Sequence, residues 1–166
     1  IMLYYINGEF IHYKLAKIPF SDAGFLYGDG LFETMRFHNR KIFQVNRHID
    51  RLFRGLKIIN LKINYTQEIF LKILYKTINM NELNSGIIRF MVTRGNTDKT
   101  IGAINNPCIY ISIKSFYNIP EGPVKVVYLH ENNYPIIRFT PAIKSMNYIG
   151  NMLAKRDCEA KGGFEP

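Results

Sequence analysis

The stretch Gly24-Phe25-Leu26-Tyr27-Gly28-Asp29-Gly30-Leu31-Phe32-Glu33-Thr34-Met35-Arg36 decides the fold of the N-terminal part of the chain. Its glycines bend a tight loop, and the mostly apolar residues 31–37 that follow the loop predict a strand. A Gly-Asp-Gly run is more often a turn than a phosphate cradle, and both interpretations stay open here. The stretch therefore predicts a loop that leads directly into a strand of a sheet.

Further strands and helices are predicted on both sides of this stretch. Asn7-Gly8 is the strongest short hairpin signal in the chain, and Thr66 is the expected N-cap of a helix whose buried face includes Ile69. The predicted strands are residues 3–6, 9–13, 41–45, 87–93, 108–113 and 124–129. The predicted helices are one whose apolar face is Ile49, Leu52, Phe53 and Leu56, one over residues 67–80, and one over residues 147–161.

The segment 117–123, with two prolines and a glycine, is the best candidate for a linker. It predicts a domain of residues 1–118 and a second unit of residues 119–166. The second unit has too few elements to close a core, so we expect the chain to be the first part of a longer, apparently truncated protein.

Composition and charge exclude several classes of protein. The formal charge is +9, from 22 basic and 13 acidic residues, but the basic residues are scattered and form no nucleic-acid-binding motif. No stretch is long and apolar enough to span a membrane, and Cys108 and Cys158 are too far apart to suggest a disulfide framework or a metal site. We expect a soluble, cytoplasmic protein without a metal.

The run Pro141-Ala142-Ile143-Lys144-Ser145-Met146-Asn147-Tyr148 carries the strongest chemical signal. Lys144 lies there between apolar residues, just before the last predicted helix. Burial disfavours the charged form of an amine, so a lysine in such a place can act as the nucleophile of Schiff-base chemistry. A lysine between two apolar residues is more often a snorkelling side chain, and the interpretation depends on what accompanies it.

Two arginines accompany the lysine. Arg51, in His48-Ile49-Asp50-Arg51-Leu52, falls one turn into a predicted helix, where a surface arginine is the simpler interpretation. Arg89, in Ile88-Arg89-Phe90, interrupts an apolar strand. We expect its guanidinium to be buried and to need an anionic or carbonyl partner.

In this order and spacing, these pieces resemble the fold-type IV pyridoxal-phosphate enzymes, which include the branched-chain and D-amino-acid aminotransferases and aminodeoxychorismate lyase. The resemblance runs from Leu3 to the last residue. It implies an α/β fold with a small N-terminal α/β domain, followed by the first part of a larger pseudo-barrel cofactor domain. It also implies pyridoxal 5′-phosphate as the cofactor and a homodimer as the assembly.

The resemblance assigns roles residue by residue. Lys144 matches the lysine that forms the Schiff base with the cofactor and then shuttles the proton. Arg51 matches the arginine that holds the cofactor phosphate, whose oxygens suit a forked guanidinium, and Tyr148 is a candidate cofactor contact. The implied substrate-binding residues are Phe32, Arg36, Arg89 and Tyr27, the last from a loop that helps to cover the pocket of the neighbouring subunit.

Three departures from the family's patterns bear on specificity. The Arg-x-His pair of the D-amino-acid enzymes is replaced by Lys99-Thr100-Ile101, and Phe32 stands where those enzymes carry tyrosine. Both departures disfavour a D-amino-acid substrate. Tyr148 follows the lysine by four residues, against five in some branched-chain enzymes.

We therefore expect an aminotransferase that moves an amino group from an L-amino acid, with a branched-chain donor favoured, to 2-oxoglutarate through Lys144. The alternative is aminodeoxychorismate lyase, which releases pyruvate on the route to 4-aminobenzoate with the same cofactor. A basic binding module is the alternative from another class. The family's acidic partner of the pyridine nitrogen and the rest of its phosphate site lie past residue 166, so we expect the 166-residue chain alone to be inactive.

Overall fold

A computed structural model of the chain describes residues 2–96, 106–116 and 120–166. The chain divides into two compact units. The first comprises Ile1–Phe116 and Ala142–Met146, and the second comprises Tyr117–Pro141 and Asn147–Pro166. The division along the chain thus falls two residues before the predicted boundary, and the short segment that carries Lys144 belongs to the first unit.

The described residues of the first unit form six strands and three α-helices. They are β1 (Leu3–Ile6), β2 (Glu9–His12), α1 (Ala23–Tyr27), β3 (Gly30–His38), β4 (Lys41–Ile42), α2 (Val45–Ile58), α3 (Gln67–Met80), β5 (Gly86–Thr93) and β6 (Cys108–Ser115). The six strands form one antiparallel sheet in the order β2-β1-β6-β5-β3-β4.

Local sequence explains the ends of several elements. Asn7 and Gly8 both take positive φ values, 48° and 109°, as the turn of the β1–β2 hairpin requires. Thr66 caps α3 as predicted, because its Oγ1 accepts a hydrogen bond from the backbone N–H of Ile69. The prediction that the Ile69 side chain is buried is wrong, since it is 40% exposed at the first turn of the helix.

The core lies between the sheet and the two long helices. Successive side chains of a strand point to opposite faces, and the face of β3 and β5 that packs under α2 and α3 is mostly apolar. The fully buried residues on this face are Leu31, Met35, Phe37, Ile88, Phe90 and Val92, and from the helices Ile49, Leu52, Phe70, Leu74 and Ile78. This packing fixes which side chains of β3 remain on the opposite face of the sheet.

The segment Ala142–Met146 pairs with the first residues of β3. The N–H of Phe32 donates to the carbonyl of Lys144 at 2.9 Å, and the N–H of Met146 donates to the carbonyl of Gly30 at 2.9 Å. A Cβ at position 30 would lie 2.7 Å from the Met146 Sδ and 2.7 Å from the carbonyl oxygen of Val92. Only glycine therefore allows β5 and the Lys144 segment to approach β3 from both sides.

The second unit contains one α-helix in its described part, α4 (Ile149–Ala160), and one 3-10 turn over Glu131–Asn133. The strand predicted over residues 124–129 is not formed, and its single ladder contact is an isolated parallel bridge between Val126 and Glu165. Within the unit, the Tyr134 hydroxyl donates to Asp157 of α4 at 2.7 Å. The valine-rich segment 124–129 has a high β-propensity, but it forms no sheet because no neighbouring strand pairs with it in the described residues.

Candidate functional site

Lys144 stands directly beside Phe32 in the structure. Its backbone carbonyl accepts from Phe32, and its Nζ lies 4.6 Å from the centroid of the Phe32 ring. The preceding residue, Ile143, packs against the core under α2, so the Lys144 side chain takes the opposite side of the segment. Two backbone hydrogen bonds and one ring contact thus position the amine.

Arg89 shares the same ring. Its guanidinium carbon lies 5.0 Å from the Phe32 centroid, and its Nε donates to Thr34 Oγ1 at 3.0 Å. The expectation of a buried Arg89 is wrong, because odd-numbered residues of β5 face away from the helices and the side chain is exposed. The amine of Lys144 and the guanidinium of Arg89 therefore both lie over the buried ring of Phe32.

Arg36 lies on the same face of the sheet, two positions beyond Thr34 on β3. Its guanidinium carbon is 4.3 Å from the Phe116 ring centroid. Lys114 on β6 pairs with Ile87, the residue of β5 that also pairs with Arg36. This face therefore bears three basic side chains in neighbouring strands, which suits it to anionic groups.

Arg51 lies on the other side of β3, where α2 packs against the strand. Its Nε and Nη2 donate to the two carboxylate oxygens of Glu33, at 2.5 and 2.6 Å. His48, one turn earlier on the same face of α2, bonds the same carboxylate through Nδ1 at 2.7 Å. The predicted phosphate-binding arginine is thus held in a planar, bidentate ion pair.

Glu33 is the residue that our sequence reasoning missed. It is 1% exposed and sits on the core face of β3 between Leu31 and Met35. The signal was present, because strand alternation places an acidic residue at a core-facing position and a His-x-x-Arg spacing places two basic groups on one helix face. A buried carboxylate in such a position requires partners of this kind.

The loop that carries Tyr27 is fixed at both ends. Arg94, directly after β5, donates to both carboxylate oxygens of Asp29, at 2.6 and 3.2 Å, and to the carbonyl of Ile59 at 2.8 Å. The Tyr27 side chain itself is 69% exposed at the last residue of α1. Its contact with a substrate in a neighbouring subunit stays a prediction.

A buried polar cluster fixes the start of the same loop. Asp22 is 1% exposed, caps α1 by accepting from the N–H of Gly24 at 2.7 Å, and accepts from the hydroxyls of Thr93 at 2.8 Å and Tyr110 at 2.7 Å. Burial raises the pKa of Tyr110 well above its ordinary value, and the hydrogen bond to Asp22 raises that pKa further. The cluster joins α1 to β5 and β6 at the edge of the basic face.

Two other predicted positions lie elsewhere. Tyr148 belongs to the second unit, precedes α4 as its N-cap residue and is 36% exposed, so its contact with a cofactor stays a prediction. Lys99, Thr100 and Ile101 lie outside the residues that the structure describes. Over the described ranges, no helix is long and apolar enough to cross a bilayer, and no three acidic, histidine or cysteine side chains gather as metal ligands would.

The sequence is similar to named aminotransferases. It is 34% identical over 157 residues to a putative branched-chain-amino-acid aminotransferase of Methanocaldococcus jannaschii, an alignment that covers 93% of this chain and 54% of that protein. It is 33% identical over 158 residues to a D-alanine aminotransferase of Staphylococcus aureus, covering 91% of this chain and 54% of that protein. The chain thus spans about half the length of these curated relatives.

Solved structures share the fold. The branched-chain aminotransferase of Escherichia coli superposes with a TM-score of 0.82 at 20% identity, over 98% of this chain and 57% of that one. A putative 4-amino-4-deoxychorismate lyase of Legionella pneumophila gives 0.74 at 23% identity, over 92% and 57%. A hypothetical aminotransferase of Mycobacterium tuberculosis, solved in a PLP-bound form, gives 0.77 at 17% identity, over 97% and 59%.

The family assignment rests on the sequence profile of the amino-transferase class IV family, which matches residues 30–166. The match begins at the first residue of β3 and includes the Lys144 segment and both sides of β3. It confirms the resemblance and the α/β fold predicted from the sequence. The chain belongs to the class IV aminotransferase family, whose members are pyridoxal-phosphate-dependent enzymes.

Proposed function

We propose that the protein is a pyridoxal-phosphate-dependent aminotransferase that moves an amino group from an L-amino acid to 2-oxoglutarate. The proposed amino donor is a branched-chain amino acid. The observation that carries this proposal is the placement of Lys144, whose amine lies over the Phe32 ring while its backbone is hydrogen-bonded to β3. The relatives' names support amino transfer as the reaction class.

The side-chain types of Lys144 and Arg51 match the chemistry of the two ends of pyridoxal 5′-phosphate. Lys144 offers a primary amine for covalent attachment to an aldehyde, and Arg51 offers a guanidinium whose orientation Glu33 fixes, as a phosphate requires. Bound there, the cofactor would supply an electron sink for the negative charge at the substrate's α-carbon. Tyr148 is proposed as a further cofactor contact.

The chain's own groups would do the remaining work. The Nζ of Lys144 would accept the proton from the substrate's α-carbon and deliver it to the cofactor carbon that carries the amino group, a role that a flexible amine close to both atoms can fill. Phe32 limits the motion of that amine and excludes water from one side of it. Arg89 and Arg36, with Tyr27 from a neighbouring subunit, are the proposed substrate contacts.

The basic face supports 2-oxoglutarate as the amino acceptor. A carboxylate at the far end of the substrate would find Arg89, whose guanidinium lies over the same ring as the Lys144 amine. A planar guanidinium that is stacked on a ring presents its N–H edge to a carboxylate. An amino acid with an apolar side chain would use the same space, with its side chain packed against the ring of Phe32.

Homodimer formation is part of the proposal. Around α1 the side chains of Phe20, Phe25 and Tyr27 are 80%, 63% and 69% exposed, which is unusual for three aromatic residues in one short segment. Contiguous exposed apolar surface of this kind is typical of protein–protein contacts.

We also propose that the two compact units correspond to the small domain and the beginning of the cofactor domain. We propose further that the protein resides in the cytoplasm, where thiols such as Cys108 and Cys158 stay reduced.

The first test locates the cofactor attachment. The protein from its complete reading frame is incubated with pyridoxal 5′-phosphate, reduced with borohydride and digested for mass spectrometry. We expect a phosphopyridoxyl group on the Lys144 peptide alone. Lys155→Ala is the matched control, because Lys155 also lies over a phenylalanine ring, that of Phe164 at 5.2 Å, and its loss should leave the labelling unchanged. A folded sample with Lys144 unmodified would refute the proposal.

The second test separates the substrates. Transfer to 2-oxoglutarate is measured with L-leucine and with D-alanine as donors, and pyruvate release is measured with aminodeoxychorismate. Turnover of L-leucine supports the proposal. Exclusive turnover of D-alanine would refute the L-specific version, and pyruvate release without transamination would establish the lyase alternative instead.

A further inference from the structure

Glu33 is a carboxylate in the apolar core of the first unit. It replaces an apolar residue at a core-facing position of β3, between Leu31 and Met35, and it is 1% exposed. Replacing a buried ion pair by apolar residues of similar size is often neutral or stabilising. A carboxylate at this position is therefore weak evidence of a stabilising role, and its contacts indicate another one.

Both oxygens of this carboxylate are engaged, and its partners His48 and Arg51 lie on one face of α2. Oε1 accepts from the Nε of Arg51, and Oε2 accepts from the Nη2 of Arg51 and bonds the Nδ1 of His48. A bidentate pair fixes both the plane and the direction of a guanidinium. The Arg51 side chain is 38% exposed, and a bidentate pair restricts the rotamers that a long side chain at a helix surface can adopt.

The strand that bears Glu33 also holds Lys144. Phe32, the residue before Glu33, donates its N–H to the Lys144 carbonyl, and Gly30 accepts from Met146. One strand thus sets the Lys144 amine through its backbone and the Arg51 guanidinium through a side chain. A ligand with an aldehyde at one end and a phosphate at the other needs both an amine and a guanidinium, and both of these groups are tied to β3.

We infer that Glu33 is a positioning residue for phosphate recognition: it holds Arg51 so that the guanidinium is ordered before the cofactor phosphate arrives. This inference rests on the proposed function. The preordered guanidinium avoids the loss of side-chain freedom on binding that a mobile arginine incurs. A second effect would oppose this one, because a nearby carboxylate repels a phosphate. The guanidinium that is paired with Glu33 would offset most of that negative charge.

The test compares two ligands that differ only in the phosphate. Affinities for pyridoxal 5′-phosphate and for pyridoxal are measured by absorbance titration of the protein from its complete reading frame, in the wild type and in Glu33→Gln. We expect the preference for the phosphorylated ligand to fall about three- to tenfold in the variant, the range that ordering one long side chain provides. The affinity for pyridoxal should stay within about twofold of the wild type, because pyridoxal has no phosphate for Arg51.

Controls separate positioning from folding. Glu9→Gln removes an exposed strand glutamate and should leave the ratio unchanged. Thermal unfolding of the cofactor-free variants reports whether Glu33→Gln still folds. If it does not, Glu33→Asp, which keeps the charge but shortens the reach to Arg51, takes its place, and its ratio should fall in the same direction. A merely structural role would lower both affinities together and leave their ratio intact.

The outcomes distinguish this inference from the proposed function. An unchanged or increased phosphate preference in a folded variant that still labels Lys144 would overturn the role of Glu33 and leave the proposed function standing. A wild-type protein that binds neither ligand would overturn both. A fall in the ratio with pyridoxal binding retained would support the inference.

Discussion

The buried cluster around Asp22 allows a sharp test of how the loop between α1 and β3 is held. Asp22 is 1% exposed and its Oδ2 accepts from the Tyr110 hydroxyl at 2.7 Å and from the Thr93 hydroxyl at 2.8 Å. Both donors are buried as well, at 4% and 2% exposure. Removal of the carboxylate would therefore leave two buried hydroxyl groups without their acceptor.

The magnitudes follow from these contacts. A hydrogen bond to a charged group contributes about 1.5–3 kcal/mol, and a buried group that loses its partner costs about 1–3 kcal/mol. We expect Tyr110→Phe to lower the free energy of unfolding by about 2 kcal/mol and Asp22→Ala to lower it by about 3–5 kcal/mol. In the double variant the orphaned Tyr110 hydroxyl no longer exists, so its cost should be about 1.5–3 kcal/mol smaller than the sum of the two single changes.

The assay is a double-mutant cycle in urea, with the free energy of unfolding measured for all four proteins. Tyr128→Phe is the control, because that side chain is 98% exposed and its hydroxyl is in water, and it should give no measurable change. A coupling free energy below about 0.5 kcal/mol would mean that the two residues act independently. That result would refute the hydrogen bond as the link between α1 and β6.

Three further predictions concern the same unit and its neighbours. Arg94→Lys should lower the free energy of unfolding by about 1–2 kcal/mol, because a lysine cannot reproduce the hydrogen bonds to Asp29 and the Ile59 carbonyl. The same change at the exposed Arg138 should have no measurable effect, and equal effects at both sites would contradict the reasoning. Thr66→Ala removes the N-cap of α3 and should cost about 1 kcal/mol, with Thr66→Ser as the variant expected to retain most of it, both measured by thermal unfolding. The protein should also lose stability in alkali, because burial raises the pKa values of Tyr5 and Tyr110, so the unfolded chain releases protons above pH 10 that the folded chain keeps. The stabilisation from the two tyrosines is complete below pH 10, and above pH 10 the free energy of unfolding should fall by about 1.4 kcal/mol per pH unit for each tyrosine. Urea unfolding at pH 9 and 11 would measure this fall, and an unchanged free energy would show that both tyrosines are accessible.

Several features of the fold were readable from local sequence because local chemistry decides them. The hairpin at Asn7-Gly8 needs residues that accept positive φ, and the chain has them at that position. Helix α3 spans Gln67–Met80, as its periodicity and the Thr66 cap predicted. The strand predicted over residues 124–129 failed for the opposite reason, since a strand exists only with a neighbour and Val126 finds a single bridge.

In the candidate site, too, some residues could be identified from local sequence and others could not. Lys144 and Arg51 could be named from motif and resemblance, and the family match agrees with the family that those motifs indicated. The exposure of Arg89 could not be read, because an apolar strand gives no sign of which face its charged residue takes until the register with β3 is known. Glu33 was overlooked since its partners lie 15 and 18 residues away on another element.

The sequence by itself determined the family, the main helices and strands, and the lysine around which the chemistry is expected, because these depend on residue types and spacings along the chain. Only the tertiary structure decided that β3 holds Lys144 through its backbone and Arg51 through Glu33, and that Lys144 and Arg89 share the Phe32 ring. Those contacts join residues that are far apart in sequence. They exist because the pairing of strands and the packing of α2 on the sheet bring together groups that no local pattern connects.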